Sequence, residues 1–449
     1  MKIYDNIHGY ISIDPIAKSI IDTPVFQRLR SIHQTGVLYL VYPTAVHSRF
    51  EHSIGTYYLA KQMITCLANK QPELNITPDI IMMVSIAGLC HDLGHLMFSH
   101  LFDDYFLPQL PNYNELVKQT KNTIHENRSI FLLNHIITKY NIPITKQQLK
   151  VVGDLINPKE AEYSKWNIKY KVGQWIFQII SNPINSIDVD KFDYLVRDTN
   201  AVGLKLSFDY SRIINECMVI NNTICYSYEC NEDIYHMFFL RYRLHRQIYN
   251  DKTAKAIEIL IVKLMIEINR VISFSEYLLD ADKMIELIDS FIWHQNSTPV
   301  IKDLINAINT RNLPKLIYQD ISISDKSINL EKSIGLNESK FILSSYEVIK
   351  FKVGYVGGKS NPLNHITFYD SKTGLIVQEK KITGDSDSMK PVKFYKGSTF
   401  HSFSLLINQK HLEYFYRIYC TDLSLYNEFI SYFDSMQTIN DETTKESFD

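Results

Sequence analysis

The stretch from Thr77 to His100, TPDIIMMVSIAGLCHDLGHLMFSH, constrains the fold more than any other part of the chain. Thr-Pro opens it as a cap followed by a first-turn proline. The residues after Asp79 are apolar around the whole helical circumference, which makes this a buried helix and not a surface one. Yet its end, GLCHDLGHLMFSH, carries three histidines and one aspartate in thirteen residues. A lone histidine beside an apolar helix is ordinarily a satisfied core or surface residue. An adjacent His-Asp pair inside one is different, because a buried carboxylate without a partner costs several kcal/mol. A metal ion is an economical partner for such a group.

Helical geometry, at about 100° per residue, puts His91 and His95 on one face with Asp92 alongside. His100 lies nine positions beyond His91 and on one continuous helix would face away. A bend at Gly94 and Met97-Phe98-Ser99 is therefore expected to return His100 and Asp103 to the same cavity. Eight of the fifteen histidines fall within the first 125 residues, among them His52 in HSRFEHSIG and His125 in TIHEN. His52, His91, Asp92 and a carboxylate from IDVDKFDYLVRD make a plausible ligand set. Spacing alone does not choose among Asp188, Asp190, Asp193 and Asp198. Two nitrogens and two oxygens suit Zn, Fe or Mn better than Ca or a lone Mg.

The chain has 449 residues, 45% hydrophobic and 21% charged, enough for a large core with an appended lobe. Its net charge of −2 offers no global field for nucleic acid or membrane, so an anionic ligand must be held by local clusters. The six cysteines form no CxxC pair and read as reduced, mostly buried thiols. No signal-peptide pattern opens the chain, and the longest apolar stretches are broken by Lys and Glu. A soluble intracellular protein is the expectation.

The expected fold is mainly α: a helical catalytic region over 1–290, a smaller mixed α/β C-terminal lobe over 295–436, and a disordered acidic tail over 437–449. Helices are expected at SIGTYYLAKQMITCLA, IHENRSIFLLNHIITKY, KVGQWIFQIIS and SIDVDKFDYLVRD, and one long helix from Glu232 to Ile272. MVINNTICYSY reads as a hairpin about Asn221-Asn222. KFILSSYEVIKFKVGYVGG, NHITFYDS and GLIVQEKKIT favour strands, while QKHLEYFYRIYC and LSLYNEFISYF read as helical.

The H…HD…D pattern resembles the HD-domain metal-dependent phosphohydrolases. The flanking motifs IHGYI, IIDTPVFQRLRSIHQTG, HSRFEHSIG, AGLCHDLGHLMFSHLFD, IDVDKFDYLVRD and LHRQIY are similar to one branch. That branch is the SAM-and-HD-domain deoxynucleoside triphosphate triphosphohydrolases. The similarity runs from Lys2 to about Leu264 and resurfaces at NPLNHITFY and RIYC. The first motif starts almost at Met1, so no SAM domain is expected before it.

The resemblance implies His52, His91, Asp92 and Asp190 as metal ligands. It places His95, His100, Asp103 and His125 around the scissile phosphate. It implies attack of water on the α-phosphorus with departure of the 5′-oxygen, giving deoxynucleoside and inorganic triphosphate. Arg49, Lys191 and Arg241 match phosphate-binding residues, and Gln34, Tyr194 and Asp198 match sugar contacts. Tyr249 matches the aromatic residue packed where a ribose 2′-hydroxyl would lie, and Asn250 stands where the family has glutamine. The leaving alkoxide needs a proton, and histidine titrates in the operating range. His95 or His100 is the expected donor, with Asp103 or His125 as orienting partner. Mg is expected with the nucleotide phosphates.

The resemblance also implies a homo-oligomer, dimer or tetramer, assembled around bound nucleotides. Lys2, Asp22, Gln27 and Arg30 match a site for a GTP or dGTP effector. The plainer alternative for Asp22 is that it caps a helix beginning near Pro24. Val41, Tyr42, Arg212 and Lys252 match an adjoining deoxynucleotide pocket. That pocket departs from the family at Ser227, Glu229, Asp233 and Asp251, and three carboxylates there would repel a triphosphate. Two other functions stand beside dNTP hydrolysis. One is an HD hydrolase acting on another nucleotide or phosphoester. The other is a nucleotide-sensing or nucleic-acid-binding scaffold, which has no need of the full set of metal and acid–base positions.

Overall fold

The structure is a computed structural model describing residues 1–161, 169–295, 297–323, 325, 345–355, 361–377 and 412–433. It is mainly α. An N-terminal hairpin pairs Lys2–Asp5 with Gly9–Ser12. The central helix Arg49–Lys70 packs against Pro78–Cys90 on one side and Val189–Val202 on another. Lys146–Ile156 packs on Pro78–Cys90, and His125–Lys139 packs against both. One continuous apolar core runs through these helices, from Ile11 to Phe368. Among the described residues, no helix is long and apolar enough to cross a membrane.

Local chemistry explains the helix starts. Thr77 accepts from the Ile80 N–H and Pro78 occupies the first turn, as the sequence predicts. The central helix begins a turn earlier than the expected serine-led start at Ser53. Glu51 reaches back to accept from the Ser48 N–H at 3.2 Å, and the helix starts at Arg49. This brings His52 onto the helix. Asp188 caps Val189–Val202 by accepting from the Lys191 N–H.

The expected hairpin is present: Cys217–Ile220 pairs antiparallel with Thr223–Ser227, and Asn221 and Asn222 both take positive φ. Phe368–Tyr369 adds to this sheet in parallel beside Thr223–Ser227, followed by Ile376–Val377.

Several expectations are corrected. The single helix over 232–272 is two, Asn231–Leu244 and Lys252–Asn269, joined by a wide π-type turn at His245–Tyr249. Asp251 causes the restart, accepting from the Thr253 and Ala254 N–H groups. KVGQWIFQIIS forms only a short 3₁₀ turn, Gln174–Gln178. The described part of QKHLEYFYRIYC, Leu412–Cys420, is a strand and not a helix. Leu412–Cys420 is the central strand between Lys315–Ser322 and Tyr346–Gly354. Its aromatic residues alternate between two packed faces. Tyr416 and Ile418 join Phe429 and Phe433 on one, while Tyr419 meets Ala256 and Ile259 on the other. The expected tail over 437–449 lies outside the described residues.

Candidate active site

The segment after Cys90 is where the structure concentrates its polar side chains. Pro78–Cys90 ends there, and the chain turns sharply through Asp92–His95. Phe98 and Ser99 both adopt φ of 56°, and His100 leads into a wide helical turn, Leu101–Phe106. The bend sits at this pair. Gly94 has another purpose: a Cβ there would fall 2.2 Å from the carbonyl of His125. Its lack of a side chain lets the His125–Lys139 helix approach.

His52 and His91 converge from two helices, their Nε2 atoms 3.2 Å apart. Asp190 Oδ1 lies 3.1 Å from His52 Nε2 and 3.6 Å from His91 Nε2. Asp92 is 3.4 Å from each of them, through Oδ2 and Oδ1 respectively. The four expected ligands are thus together. Each imidazole has its other nitrogen committed to a group that can only accept: His52 Nδ1 to Asp193 Oδ2 at 2.8 Å, His91 Nδ1 to the Gly88 carbonyl at 2.8 Å. Both Nδ1 atoms therefore carry a proton, and a cation replacing the proton on each Nε2 would be met by both rings at the same point. Two nitrogens about 2.0–2.1 Å from a tetrahedral metal stand roughly 3.3 Å apart. The residues fit a divalent cation.

The electrostatics agree. Burial disfavours a charged His52 ring, yet Asp190 and Asp193 outweigh it and push its pKa up to about 10. Burial also opposes ionisation of Asp190, but His52 and His91 hold it well below the usual carboxylate range. At Asp92 burial is overcome by His91, Arg49 and His95. The pocket favours positive charge where the imidazoles meet.

A second group adjoins it. His95 Nε2 is 3.4 Å from Asp92 Oδ1, and its ring stacks on His125 at 4.0 Å between centroids. His100 lies 5.0 Å from His95 and 5.7 Å from His125. His125 Nδ1 is 3.4 Å from Asp103 Oδ2, while Asp103 Oδ1 accepts from the buried guanidinium of Arg128 at 2.5 Å. Burial, then Arg49 and His125, push His95 well below the ordinary imidazole range. His100 stays 63% exposed beside Asp104.

Arg49 forms an ion pair with Asp92, and its other nitrogens donate to Ser99 Oγ and the Gln34 carbonyl. The amide oxygen of Gln34 is buried and unpartnered. Lys191 Nζ pairs with Asp188 at 3.0 Å. Burial raises the Tyr194 phenol, opposed by the nearby Arg241 and Lys191 charges. Arg241 donates to the Gly354 carbonyl and keeps a buried, unpartnered Nε. Tyr249 donates to Asp198 Oδ2 at 2.5 Å, and His47 Nε2 takes Asp198 Oδ1 at 2.7 Å. Both oxygens of the expected sugar contact are thereby engaged. Asn250 turns to the His245 carbonyl.

Spacing gave no sign of His8, His47, Arg128, Arg197 and His245 in this constellation, and it left Asp193 as one of four candidate ligands, whereas Asp193 holds the Nδ1 side of His52. Asp193 joins His52, His8 and Arg197, all buried. His245 lies edge-on to Tyr249 at 5.0 Å, and burial pushes it well below the usual imidazole range. A surplus of ionisable residues in apolar segments was the available signal. Their partners lie up to 202 residues apart, beyond the reach of periodicity.

The regulatory candidates have local partners of their own. Gln27 accepts from Arg30 at 2.9 Å, and Arg30 lies over the Phe50 ring. Asp22 does not cap the helix at Pro24. Thr23 does, and Asp22 pairs with Lys18. Lys2 opens the first strand. Tyr42 reaches the Gln247 carbonyl beside Val41. Arg212 is neutralised by Asp233 at 3.0 Å, and Glu229 accepts from Ser371. Asp251 caps the helix that begins at Lys252, and Ser227 accepts from the Glu229 N–H.

No protein-family model matches the chain. It is 32% identical to a putative HD domain-containing protein of Acanthamoeba polyphaga mimivirus, over 93% of this chain and 91% of that protein. It is 34% identical to the Dictyostelium discoideum homolog of deoxynucleoside triphosphate triphosphohydrolase SAMHD1, over 84% of this chain and 73% of that one. The human SAMHD1 protein is 32% identical over 82% of this chain and 64% of its own length. With this identity spread over most of its length and the His52–His91–Asp92–Asp190 cluster at its centre, the chain belongs to the HD-domain SAMHD1 family.

Proposed function

We propose that the chain is a metal-dependent hydrolase that cleaves dNTPs to deoxynucleoside and inorganic triphosphate. The observation that carries this reading is the convergence of His52, His91, Asp92 and Asp190 beside the His95–His100–His125 cluster. The relatives named above as deoxynucleoside triphosphate triphosphohydrolases supply the substrate class. A Zn, Fe or Mn ion held by those four residues would polarise a phosphoryl oxygen and acidify water.

The chain's own residues do the rest. Arg49, Lys191 and Arg241 offset the triphosphate charge, and Arg49 is aligned for it by Ser99 and the Gln34 carbonyl. Tyr249, pinned by Asp198, forms a rigid wall under the sugar. Burial and the neighbouring Arg49 and His125 disfavour a proton on His95, and His100, open to solvent beside both rings, is assigned as the proton donor to the departing 5′-oxygen. Asp22, Gln27 and Arg30 form a surface suited to a guanine nucleotide, with Mg accompanying its phosphates. A homo-oligomer is the expected active form.

The test is turnover of each dNTP and NTP, with and without GTP or dGTP, resolving inorganic triphosphate by chromatography. Triphosphate and deoxynucleoside in equal amounts are expected. Release of pyrophosphate or monophosphate overturns the reading.

A further inference from the structure

One carboxylate far along the chain ties together two loops that face the site. Asp289 is buried. Its Oδ2 accepts from the His33 backbone N–H at 2.8 Å and lies 2.7 Å from Nδ1 of the same residue. Its Oδ1 accepts from the Phe98 N–H at 2.7 Å. A carboxylate suits this position because it only accepts. An amide of the same shape would turn its NH₂ against one of the two backbone donors.

Phe98 and Ser99 are both left-handed, a conformation disfavoured for residues carrying a Cβ. Such backbone persists where its surroundings over-determine it, and here they do. Arg28 donates to the Leu93 and His95 carbonyls, and Arg128 to the Gly94 carbonyl. Ser129 accepts from the Gly94 N–H, and the Leu287 carbonyl accepts from Met97. Asp289 holds the left-handed pair itself.

What the pair carries gives this brace a consequence for chemistry. Ser99 Oγ accepts from Arg49 Nε at 3.0 Å and donates to the His33 carbonyl at 3.3 Å. Arg49 also donates to the carbonyl of Gln34, next to His33. His95 and His100 flank the turn on either side. The orientation of the Arg49 guanidinium is therefore set by two loops, and Asp289 grips both.

We propose that Asp289 is a positioning residue: by joining His33 to the Phe98–Ser99 turn, it sets where Arg49 and the His95–His100 pair stand relative to the bound triphosphate. This rests on the hydrolase reading above. A displacement on the order of 1 Å at groups that contact substrate can cost roughly 100-fold in rate.

The experiment compares Asp289→Asn and Asp289→Glu with the parent protein in three measurements: amide hydrogen exchange over residues 97–101, bound metal per chain, and kcat and KM for a dNTP. For Asp289→Asn, faster exchange at Phe98 and Ser99, unchanged metal content and a kcat lower by about 100-fold are expected. Asp289→Glu, which keeps the acceptor-only group, is expected to recover part of kcat. Faster exchange with parental kcat and KM would reduce Asp289 to a structural role and overturn the proposal, as would unchanged exchange. If Asp289→Asn does not fold, Ser99→Ala removes the Arg49 anchor and the Ser99 bond to the His33 carbonyl while leaving Asp289 in place, and is expected to lower kcat with metal content intact; parental kinetics in that variant also overturn the proposal. A parent protein inactive on every dNTP sinks the hydrolase reading and the kinetic claim with it, whereas an active parent with unchanged exchange in Asp289→Asn sinks the Asp289 claim alone.

Discussion

The carboxylate of Asp193 hydrogen-bonds His52 Nδ1 at 2.8 Å while its other oxygen takes His8 Nε2 at 2.7 Å. It also pairs through both oxygens with Arg197, which in turn reaches Asp5. A residue of the Val189–Val202 helix thus orients a candidate metal ligand and anchors the turn of the N-terminal hairpin.

Asp193→Asn tests this. Loss of an outer partner of a ligating histidine typically costs 10- to 100-fold, so metal affinity should fall by about that factor. Leaving Arg197 buried with a weaker partner should also destabilise the chain by about 3 kcal/mol. Metal titration and chemical denaturation read the two effects separately. Unaltered metal affinity would remove Asp193 from the site.

Gly55 makes room for the same carboxylate. A Cβ at this position would lie 1.8 Å from Asp193 Oδ1 and 2.6 Å from the Arg197 guanidinium. Neither can move away cheaply, because both are committed to buried partners. Gly55→Ala is expected to cost about 3 kcal/mol and to lower metal affinity along with stability. Its thermal unfolding beside that of the parent protein, each with and without added metal, checks this.

Removal of metal should act on stability as well as turnover. A cation that binds only the folded chain stabilises it by about 2.7 kcal/mol at a hundredfold excess over its Kd. A chelator should therefore lower the melting temperature, and added Mn or Zn should restore it. His91→Ala with Asp92→Ala should abolish that response together with turnover. Full turnover in this double variant would refute the metal assignment.

The Asp103–Arg128 pair sets an acid limit. Burial raises the Asp103 carboxyl, but Arg128 and His125 outweigh it, so its folded pKa lies below the unfolded value of 3.8. A depressed carboxyl pKa contributes stability that is present above the unfolded value and lost as pH falls through the folded one. Denaturation midpoints should therefore fall as pH drops below about 4, and less steeply in Asp103→Asn. Equal slopes in the two proteins would show that Asp103 does not contribute.

Much of the fold could be read locally. Thr77-Pro78, the Asn221-Asn222 turn and the periodicity of 125–139 are short-range features, set by cap chemistry, positive φ and helical spacing. The strand at Leu412–Cys420 was not readable in this way. Its aromatic-rich sequence suits a helix or a two-faced strand equally, and only pairing with Lys315–Ser322 and Tyr346–Gly354 decides. The break at Asn250-Asp251 was hidden similarly, since an aspartate caps a helix only where the preceding backbone has already left it.

By itself the sequence determined that so many ionisable groups beside a buried helix required a partner; its expectation that His91 and His95 lie on one helical face failed, because the helix ends at Cys90 and the chain turns through Asp92–His95. It also named the family, through motifs whose residue types are set by that chemistry. Tertiary structure decided which carboxylates orient the histidines, that Phe98 and Ser99 bend the chain, and that Asp289 closes on both loops. The reason is that a buried polar group takes whichever complementary partner the packed core brings within about 3 Å. That choice depends on the path of the whole chain and on no local spacing.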